Sequence, residues 1–352
     1  MKITANPGKG SIVVTTLWIM AIMSLLAMGI AFRASLEVRL SKYNIERLQA
    51  RYLAEAGITK SSDRLSNKIN TNWDSMYECG ISLSNDETPE NVFAAEFNKS
   101  ESGTFAVYYT RKKEYETGED VYYGMMDEER KININMSKLA PNSPGEFRRI
   151  LKGLSPEITD EIISAMIDWQ DGGDFDSATM PGGAEDFFYE TKHGYSSKDA
   201  DFETTEELLL VKDVTKPLFN EIKEHITVYG NGKININTAS KKVLIAVIDD
   251  GNRTYLPLVE NVIDYRNGTD GIAGTNDDQI FTEIEQIESV VREDDIQGKS
   301  RLNQLMPYFI VKSDSFMVVS HGKVGKITKE ITCIIRRDPG SGLTKIEYYH
   351  EE

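Results

Sequence analysis

The chain has 352 residues, of which 40% are hydrophobic and 27% charged, so it is long enough to form more than one folding unit with a sizeable core. Its formal net charge of −16 argues against binding to nucleic acid or to an anionic membrane surface, because neutralising phosphate groups requires Lys and Arg. Two cysteines, Cys79 and Cys333, show no metal-ligand or redox spacing and could be paired or free.

The N-terminal region predicts a membrane anchor. Residues 11–32 read SIVVTTLWIMAIMSLLAMGIAF without a charge. As an α-helix this run spans about 33 Å, enough for a hydrocarbon core of about 30 Å. Lys2 and Lys9 precede it, which keeps the leader cytoplasmic and sends the body across the membrane. A secretory signal peptide is the alternative, but the run is longer than a signal core and no small-residue cleavage site follows it.

A helical pattern continues beyond the apolar run. Apolar residues recur every three to five positions from Leu36 to Ala56, charged residues fill the remaining face, and no proline interrupts residues 11–66. We therefore expect one unbroken helix of about 45 to 55 residues, half in lipid and half amphipathic.

Strand patterns flank the middle of the chain. Residues 103–111 and 121–126 are rich in aromatic and β-branched side chains, whereas residues 71–102 show no clear period and predict a loop or a short helix. An antiparallel meander behind the long helix accounts for the strand patterns. The predicted C-terminal strands cover residues 308–312, 316–321, 326–337 and 344–349.

A repeat lies between the two strand regions. Lys131-Ile-Asn-Ile-Asn135 recurs as Lys233-Ile-Asn-Ile-Asn237, 102 residues later. Each copy is followed by two helical stretches, a Gly/Asp-rich loop and a further short helical pattern, so two related helical units are inserted into the sheet. The second helices end in Met166-Ile-Asp-Trp169 and Val262-Ile-Asp-Tyr265, and the later helical patterns cover 205–211 and 281–291.

The paired helices resemble helix-hairpin-helix modules, which often bind DNA. Thr238 is a natural N-cap for the helix after the second copy. These modules hold phosphate with a tight Gly-x-Gly hairpin, which neither unit supplies: residues 152–155 read KGLS, and residues 249–252 read DDGN. The scaffold without a phosphate site is the favoured interpretation, and no nucleic-acid partner is expected.

Two acidic loops follow the second helices and predict calcium sites. Alternating Asp and Gly supply carboxylates and free backbone carbonyls, which suit a cation that takes six to eight oxygen ligands. Solvated acidic turns are the alternative, and neither loop has the EF-hand spacing. The candidate ligands are Asp171, Asp174, Asp176 and Glu185 in the first loop, and Asp270, Asn276, Asp277 and Asp278 in the second.

The N-terminus resembles type IV pilins, in which prepilin peptidase cuts after a Gly that ends a short basic leader and the new N-terminus is methylated. The matching bond here joins Gly10 and Ser11. Most pilins carry Glu at the fifth mature position, where it pairs with the N-terminal amine of a neighbouring subunit. Thr15 stands there instead, so this subunit would not dock beneath another in the usual way.

The absent Glu, the Arg51-Tyr-Leu-Ala-Glu-Ala-Gly57 helix segment and the Pro181–Glu185 PGGAE motif resemble the minor pseudopilin K family of type II secretion. That resemblance implies an α+β fold with a long N-terminal helix on an antiparallel sheet, an inserted helical domain with two helix-hairpin-helix-like repeats, and structural calcium. The implied segments are a leader (1–10), a helix (11–66), a pilin-like body (67–130 and 306–352) and an insert (131–305).

The resemblance also implies a function and partners. The protein would initiate or cap a periplasmic pseudopilus at its tip, anchored once in the inner membrane, with Leu36, Leu40 and Leu48 packing against partner helices. Minor pseudopilins I and J are the expected partners, with pseudopilin H, the major pseudopilin and prepilin peptidase also expected. The alternatives are a type IV pilus minor pilin and a membrane-anchored DNA-binding protein. The sequence carries no familiar nucleophile elbow, Walker loop, zinc motif or dinucleotide fingerprint, so we expect no enzyme.

Overall fold

A computed structural model describes residues 8–67, 73–76, 88–97, 103–112, 119–141, 143–171, 186–273, 275 and 277–352. The helices are α1 (Gly8–Ser66), α2 (Pro89–Phe93), α3 (Met136–Leu139), α4 (Pro144–Leu154), α5 (Asp160–Asp168), α6 (Asp186–Lys192), α7 (Lys216–Ile222), α8 (Lys241–Ile248), α9 (Leu256–Arg266) and α10 (Ile296–Leu305). The strands are β1 (Ala94–Phe97), β2 (Gly103–Lys112), β3 (Glu119–Tyr123), β4 (Met126–Asp127), β5 (Ile132–Asn133), β6 (Ile226–Thr227), β7 (Ile234–Asn235), β8 (Phe309–Ile310), β9 (Ser315–Val324), β10 (Ile327–Arg337) and β11 (Thr344–Glu351). Short 3₁₀ helices lie at Thr205–Leu210, Lys223–His225, Ile284–Val290 and Met306–Tyr308.

The long N-terminal helix is continuous, as the proline-free pattern predicts. α1 runs for 59 residues from Gly8 to Ser66, so it starts three residues before the predicted 11–66 span and ends at the same residue. Its first half projects from the body with its side chains exposed, whereas Ala50, Ala54, Ile58 and Leu65 in its second half are buried against the sheet.

Small residues let α1 lie very close to the sheet. A Cβ atom added at Gly322 of β9 would overlap the backbone carbonyl of Ala50, and one added at Gly57 would overlap the hydroxyl of Ser320. Ser320 Oγ also donates a hydrogen bond of 2.7 Å to the carbonyl oxygen of Ala54. The alanine- and glycine-rich end of the helix is therefore a packing surface, since larger side chains would force the two elements apart.

The sheet is antiparallel and follows the order β1-β2-β9-β10-β11, with β3 paired to β2 and β4 paired to β9. Three of the four predicted C-terminal strands form the antiparallel meander, because β9 pairs with β10 and β10 with β11. The strand predicted at 308–312 does not join it, because β8 covers Phe309–Ile310 and pairs in parallel with β7. Strand β1, in a region with no sequence period, was not predicted; it pairs with β2 from Ala94↔Ala106 to Phe97↔Gly103. Side chains from α1, α2 and the sheet form one apolar core, which includes Phe93, Phe105, Val107, Phe316, Ile331 and Cys333.

The chain between β4 and β9 forms a second, larger core of mostly helical elements. Both repeat units contribute to it, with Phe147, Ile163 and Tyr189 from the first and Leu244 and Phe281 from the second. The combination of long helix, antiparallel sheet and further helices gives the α+β fold expected from the sequence.

Candidate assembly site

The exposed half of α1 is a candidate membrane anchor. The helical stretch Ile12–Ser66 contains an 18-residue window with a mean hydropathy of 2.2, none of it buried. Side chains such as Trp18, Leu25 and Phe32 are 66%, 69% and 73% exposed. An isolated apolar helix of this length suits a single membrane crossing, because lipid can cover the side chains that the protein leaves bare.

The predicted processing and docking positions lie at the start of this helix. Gly10 and Ser11 have helical backbone within the first turns of α1, and Thr15 lies about one turn further along with its side chain exposed. Residues 1–7 of the predicted leader lie outside the described residues. The cleavage site and the role of Thr15 both stay predictions.

The predicted assembly residues lie on the exposed part of α1. Leu36, Leu40 and Leu48 are 48%, 54% and 49% exposed. Further towards the C-terminal end of α1, an ion pair joins the helix to β11, because Arg51 Nε lies 3.2 Å from the Glu351 carboxylate. The apolar side chains thus extend from the candidate membrane anchor to the edge of the sheet, where a second helix could pack against them.

The two repeat units close in the same way. In the first, β5 pairs in parallel with β6 through Ile132↔Ile226; in the second, β7 pairs in parallel with β8 through Ile234↔Phe309. Each unit therefore begins on its KININ strand and returns beside it. The later helical patterns predicted at 205–211 and 281–291 are 3₁₀ helices in both units.

The second Asn of each KININ motif holds a phenylalanine from a distant part of its unit. Asn135 Nδ2 donates to the carbonyl oxygen of Phe202 at 3.1 Å, and Asn135 Oδ1 accepts from the Phe202 amide at 2.8 Å. Asn237 makes the same pair of bonds with Phe281, at 2.9 Å each. Each phenylalanine also stacks on the aromatic residue that ends the second helix: Phe202 on Trp169 and Phe281 on Tyr265.

The hairpin of the second unit is unsuited to phosphate. Backbone amides that could face an anion instead donate to the Asp249 carboxylate, at 3.0 Å from each of Gly251, Arg253 and Tyr255. A carboxylate already in this position would repel a phosphate and occupies the donors it would need. Helix-hairpin-helix character is not confirmed for either unit.

The predicted N-cap was wrong. Ser240, not Thr238, caps α8, because Ser240 Oγ accepts from the Val243 amide. Thr238 instead donates its hydroxyl to Asp127 at 2.6 Å. Both residue types are favoured at N-caps, Ser more than Thr, so the sequence does not fix at which of the two the helix begins.

The acidic loops are described only in part. Asp174, Asp176, Glu185 and Asn276 lie outside the described residues, and Asp171 is exposed at the start of the first loop. Among the residues that the structure describes, no group of three or more His, Cys, Asp or Glu side chains is placed to hold a metal ion. Calcium binding stays a prediction.

In the second loop Asp277 is engaged by the loop itself. Its Oδ2 accepts from the amide and hydroxyl of Thr269 at 2.9 and 2.7 Å and from the Asp270 amide at 3.2 Å. Its Oδ1 accepts from the Thr275 hydroxyl at 2.7 Å, and these bonds, led by that from Thr275, lower the pKa of Asp277. These contacts order the described part of the loop. Its described residues do not bring together the convergent oxygens that calcium requires.

Three acidic residues that the sequence did not mark as a site are buried before the first KININ motif. Asp127, Glu128 and Glu129 are 6%, 3% and 1% exposed. Burial raises the pKa of Asp127, and burial with the nearby Asp127 charge raises that of Glu129 to about 8. A comparison of the two repeat copies could have revealed these acids, because the second copy has Tyr229-Gly230-Asn231 at the equivalent positions.

Comparison with known proteins agrees with this architecture. Residues 130–231 match the family model of the type II secretion system protein K, and residues 9–59 match the PilX N-terminal model. The fold matches a chain in the crystal structure of the GspK-GspI-GspJ complex from the enterotoxigenic Escherichia coli type 2 secretion system, with a TM-score of 0.62 and 13% identity over 89% of this chain and 99% of that one. No curated protein matches the sequence. Residues 130–231 are thus similar to the type II secretion system protein K family, residues 9–59 are similar to the PilX N-terminus, and the fold is similar to that of GspK.

Proposed function

We propose that this protein is a minor pseudopilin of a type II secretion system that initiates or caps the pseudopilus at its tip. The observation that carries the proposal is the protein K domain at 130–231 combined with a long pilin-type helix packed on an antiparallel sheet. The GspK chain of similar fold was crystallised with GspI and GspJ, so the corresponding minor pseudopilins I and J are the proposed partners.

The proposed mechanism is helix packing. The exposed α1 side chains Leu36, Leu40 and Leu48 would be covered by the N-terminal helices of partners, which removes apolar surface from water at roughly 25 cal/mol per Å². The apolar segment before them would hold the protein in the inner membrane, with the body in the periplasm. Pseudopilin H and the major pseudopilin would join through the same kind of packing.

Thr15 supports a position at the tip. A carboxylate in the apolar part of a helix is stable when it faces a positive charge, such as the N-terminal amine of an adjacent subunit. Thr15 cannot form that ion pair, so the chain would end a filament rather than extend it. A Thr15→Glu variant is then expected to enter the filament body, and its ratio to major pseudopilin in purified filaments should rise severalfold.

The first experiment is the intact mass of the protein purified from its native membrane, followed by mass spectrometry of the chains that copurify. The proposal predicts a chain that begins at Ser11, with or without one methyl group, together with minor pseudopilins I and J. A chain that retains Met1 or begins beyond Phe32 would contradict processing by prepilin peptidase. A processed chain that copurifies with type IV pilus subunits instead would assign it to a pilus.

As a matched test of the packing surface, Leu40→Glu should abolish copurification of the partners, whereas Lys42→Glu, on the same exposed helix, should leave it intact. Lys42 lies 3.7 Å from Glu46, an exposed pair whose loss should have little effect on stability. Equal copurification from both variants would show that the helix surface around Leu40 is not the interface.

A further inference from the structure

Three segments that connect the sheet to the repeat units meet at one place. The incoming segment (residues 127–131) begins at the last residue of β4, the middle segment (227–235) joins the two units, and the outgoing segment (310–315) ends at the first residue of β9. The incoming segment lies between the other two, because the Glu128 amide donates to the carbonyl oxygen of Ser315 at 2.9 Å while the Asn235 amide donates to that of Glu129 at 2.8 Å. We call this meeting point the crossing.

At the crossing, the carboxylate of Asp127 joins the outgoing segment to the second unit. Its Oδ2 accepts from Thr238 Oγ1 at 2.6 Å, from Ser313 Oγ at 2.7 Å and from Asn235 Nδ2 at 3.0 Å. Its Oδ1 accepts from the Glu129 amide at 2.8 Å. The four donors come from three segments that are far apart in sequence, so the bonds cannot all persist if those segments separate.

The next two carboxylates hold different neighbours. Glu128 accepts from Thr227 Oγ1 at 2.7 Å, which ties it to the end of the first unit. Glu129 accepts from the Asn231 amide at 3.2 Å in the middle segment and from the Asp314 amide at 2.9 Å in the outgoing segment. Together the three side chains contact every segment that passes through the crossing.

The second repeat copy has no acids of its own at the equivalent positions. Gly230 and Asn231 stand there in place of Glu128 and Glu129, and Asn231, Asn235 and Thr238 of that copy hydrogen-bond to Glu129 and Asp127 of the first. The two copies are in close contact at Gly230, since a Cβ atom there would come within 2.7 Å of Glu129 Cγ. Burying three adjacent carboxylates is costly unless each is well hydrogen-bonded. The presence of the three acids in the first copy and not in the second therefore points to a role in joining the sheet and the two repeat units.

We propose that Asp127, Glu128 and Glu129 form a latch at the crossing that makes the sheet and both repeat units move as one rigid body. Because α1 packs on the same sheet, a force applied to either unit is transmitted to the helix instead of being absorbed by bending at the connection. The charges that face the latch are Lys131 on its own segment, which pairs with Glu128, and Asp314 on the outgoing segment. Arg130 also lies near Asp127, where its charge favours ionisation of that carboxyl group.

The test is hydrogen–deuterium exchange of the full chain in detergent, read at the amides of Asn231, Asn235 and Asp314. Glu129→Ala removes the acceptor of two of these amides, and exchange at all three should become at least about tenfold faster, while amides inside β10 keep their wild-type rates. The matched control is Asp249→Ala. Asp249 is likewise buried, at 6% exposed, and accepts from three amides, but all of them lie in the second unit. Asp249→Ala should accelerate amide exchange in the hairpin of the second unit and leave the exchange rates of the crossing amides unchanged.

A milder variant covers the case in which Glu129→Ala does not fold. Thr238→Val combined with Ser313→Ala removes two donors to Asp127 and keeps all three carboxylates, and it should still accelerate exchange at Asn235 and Asp314. The proposal is overturned if the crossing amides exchange at wild-type rates in the folded latch variants. It is equally overturned if the acceleration is uniform along the chain, or if Asp249→Ala opens the crossing as much.

Discussion

Asn135 and Asn237 hold equivalent positions 102 residues apart, and each binds both backbone polar groups of one buried phenylalanine, Phe202 or Phe281. The sequence separations between the partners differ, at 67 residues in the first unit and 44 in the second. This pair of bonds, here called the Asn–Phe clamp, is therefore the same in both units although the intervening chain differs in length. It fixes where each unit resumes regular structure after its loop.

Replacing Asn237 by Ala should lower the free energy of unfolding by about 2 to 4 kcal/mol, because the buried amide and carbonyl of Phe281 lose their partners. Urea denaturation in detergent measures this. Asn261→Ala is the matched control, since Asn261 is exposed and donates one bond to the Val290 carbonyl; its loss should cost less than about 1 kcal/mol. Equal effects of the two variants would show that the clamp contributes little.

Gly322→Ala should destabilise the protein by about 3 kcal/mol, because the added Cβ overlaps the Ala50 carbonyl and pushes α1 from the sheet. Thermal unfolding followed by circular dichroism provides the measurement. Gly145→Ala is the comparison: Gly145 lies in α4 with open space around its Cβ position, and Ala there should be neutral or stabilise by about 0.5 to 1 kcal/mol. A Gly322→Ala protein as stable as wild type would refute the close helix–sheet contact.

Stability should fall as the pH rises from 6.5 to 8. The folded-state pKa of Glu129, about 8, lies above its ordinary value of 4.5, so the folded state binds the extra proton and loses that advantage as the pH approaches 8. Below pH 6.5 His225 acts in the opposite direction, because burial lowers its pKa to about 4 and stability then falls as the pH falls.

The free energy of unfolding, measured by urea denaturation across this upper window, is expected to drop by about 1 to 2 kcal/mol in wild type. Glu129→Gln should remove most of the slope. Burial also raises the pKa of the Asp127 carboxyl and of the half-buried Asp314 carboxyl, and both act in the same direction wherever they titrate. Parallel slopes in wild type and Glu129→Gln would show that Glu129 does not titrate in this range.

Calcium should raise the midpoint of thermal unfolding if the acidic loops bind it in the folded state only. Isothermal titration calorimetry of the chelator-treated protein gives the number of calcium ions bound per chain, and two are expected. Asp174→Asn with Asp176→Asn should remove one, and Asp270→Asn with Asp278→Asn the other. Asp277→Asn is less informative, because that side chain already accepts four hydrogen bonds from its own loop. A titration without heat and without a thermal shift would exclude structural calcium.

Local patterns predicted the long helix, the meander and the paired helices of both units, because periodicity reports which face of a segment is buried. They could not reveal contacts between segments far apart in sequence. The KININ motifs were visible as a repeat, but the Asn135–Phe202 clamp depends on how the chain returns after its loop. Likewise, Asp127–Glu129 looked like a charged connection, because nothing local indicates that Ser313 and Thr238 arrive to bury it.

The parallel closures of the repeat units have a consequence for how such a chain can change over time. In each unit the last strand, β6 or β8, lies next to the first, β5 or β7, so a whole unit occupies the chain between two neighbouring points. Gaining or losing one unit would leave the ends of the surrounding chain almost where they were. The bulk of the inserted domain can therefore vary by entire modules while the helix and sheet keep their geometry.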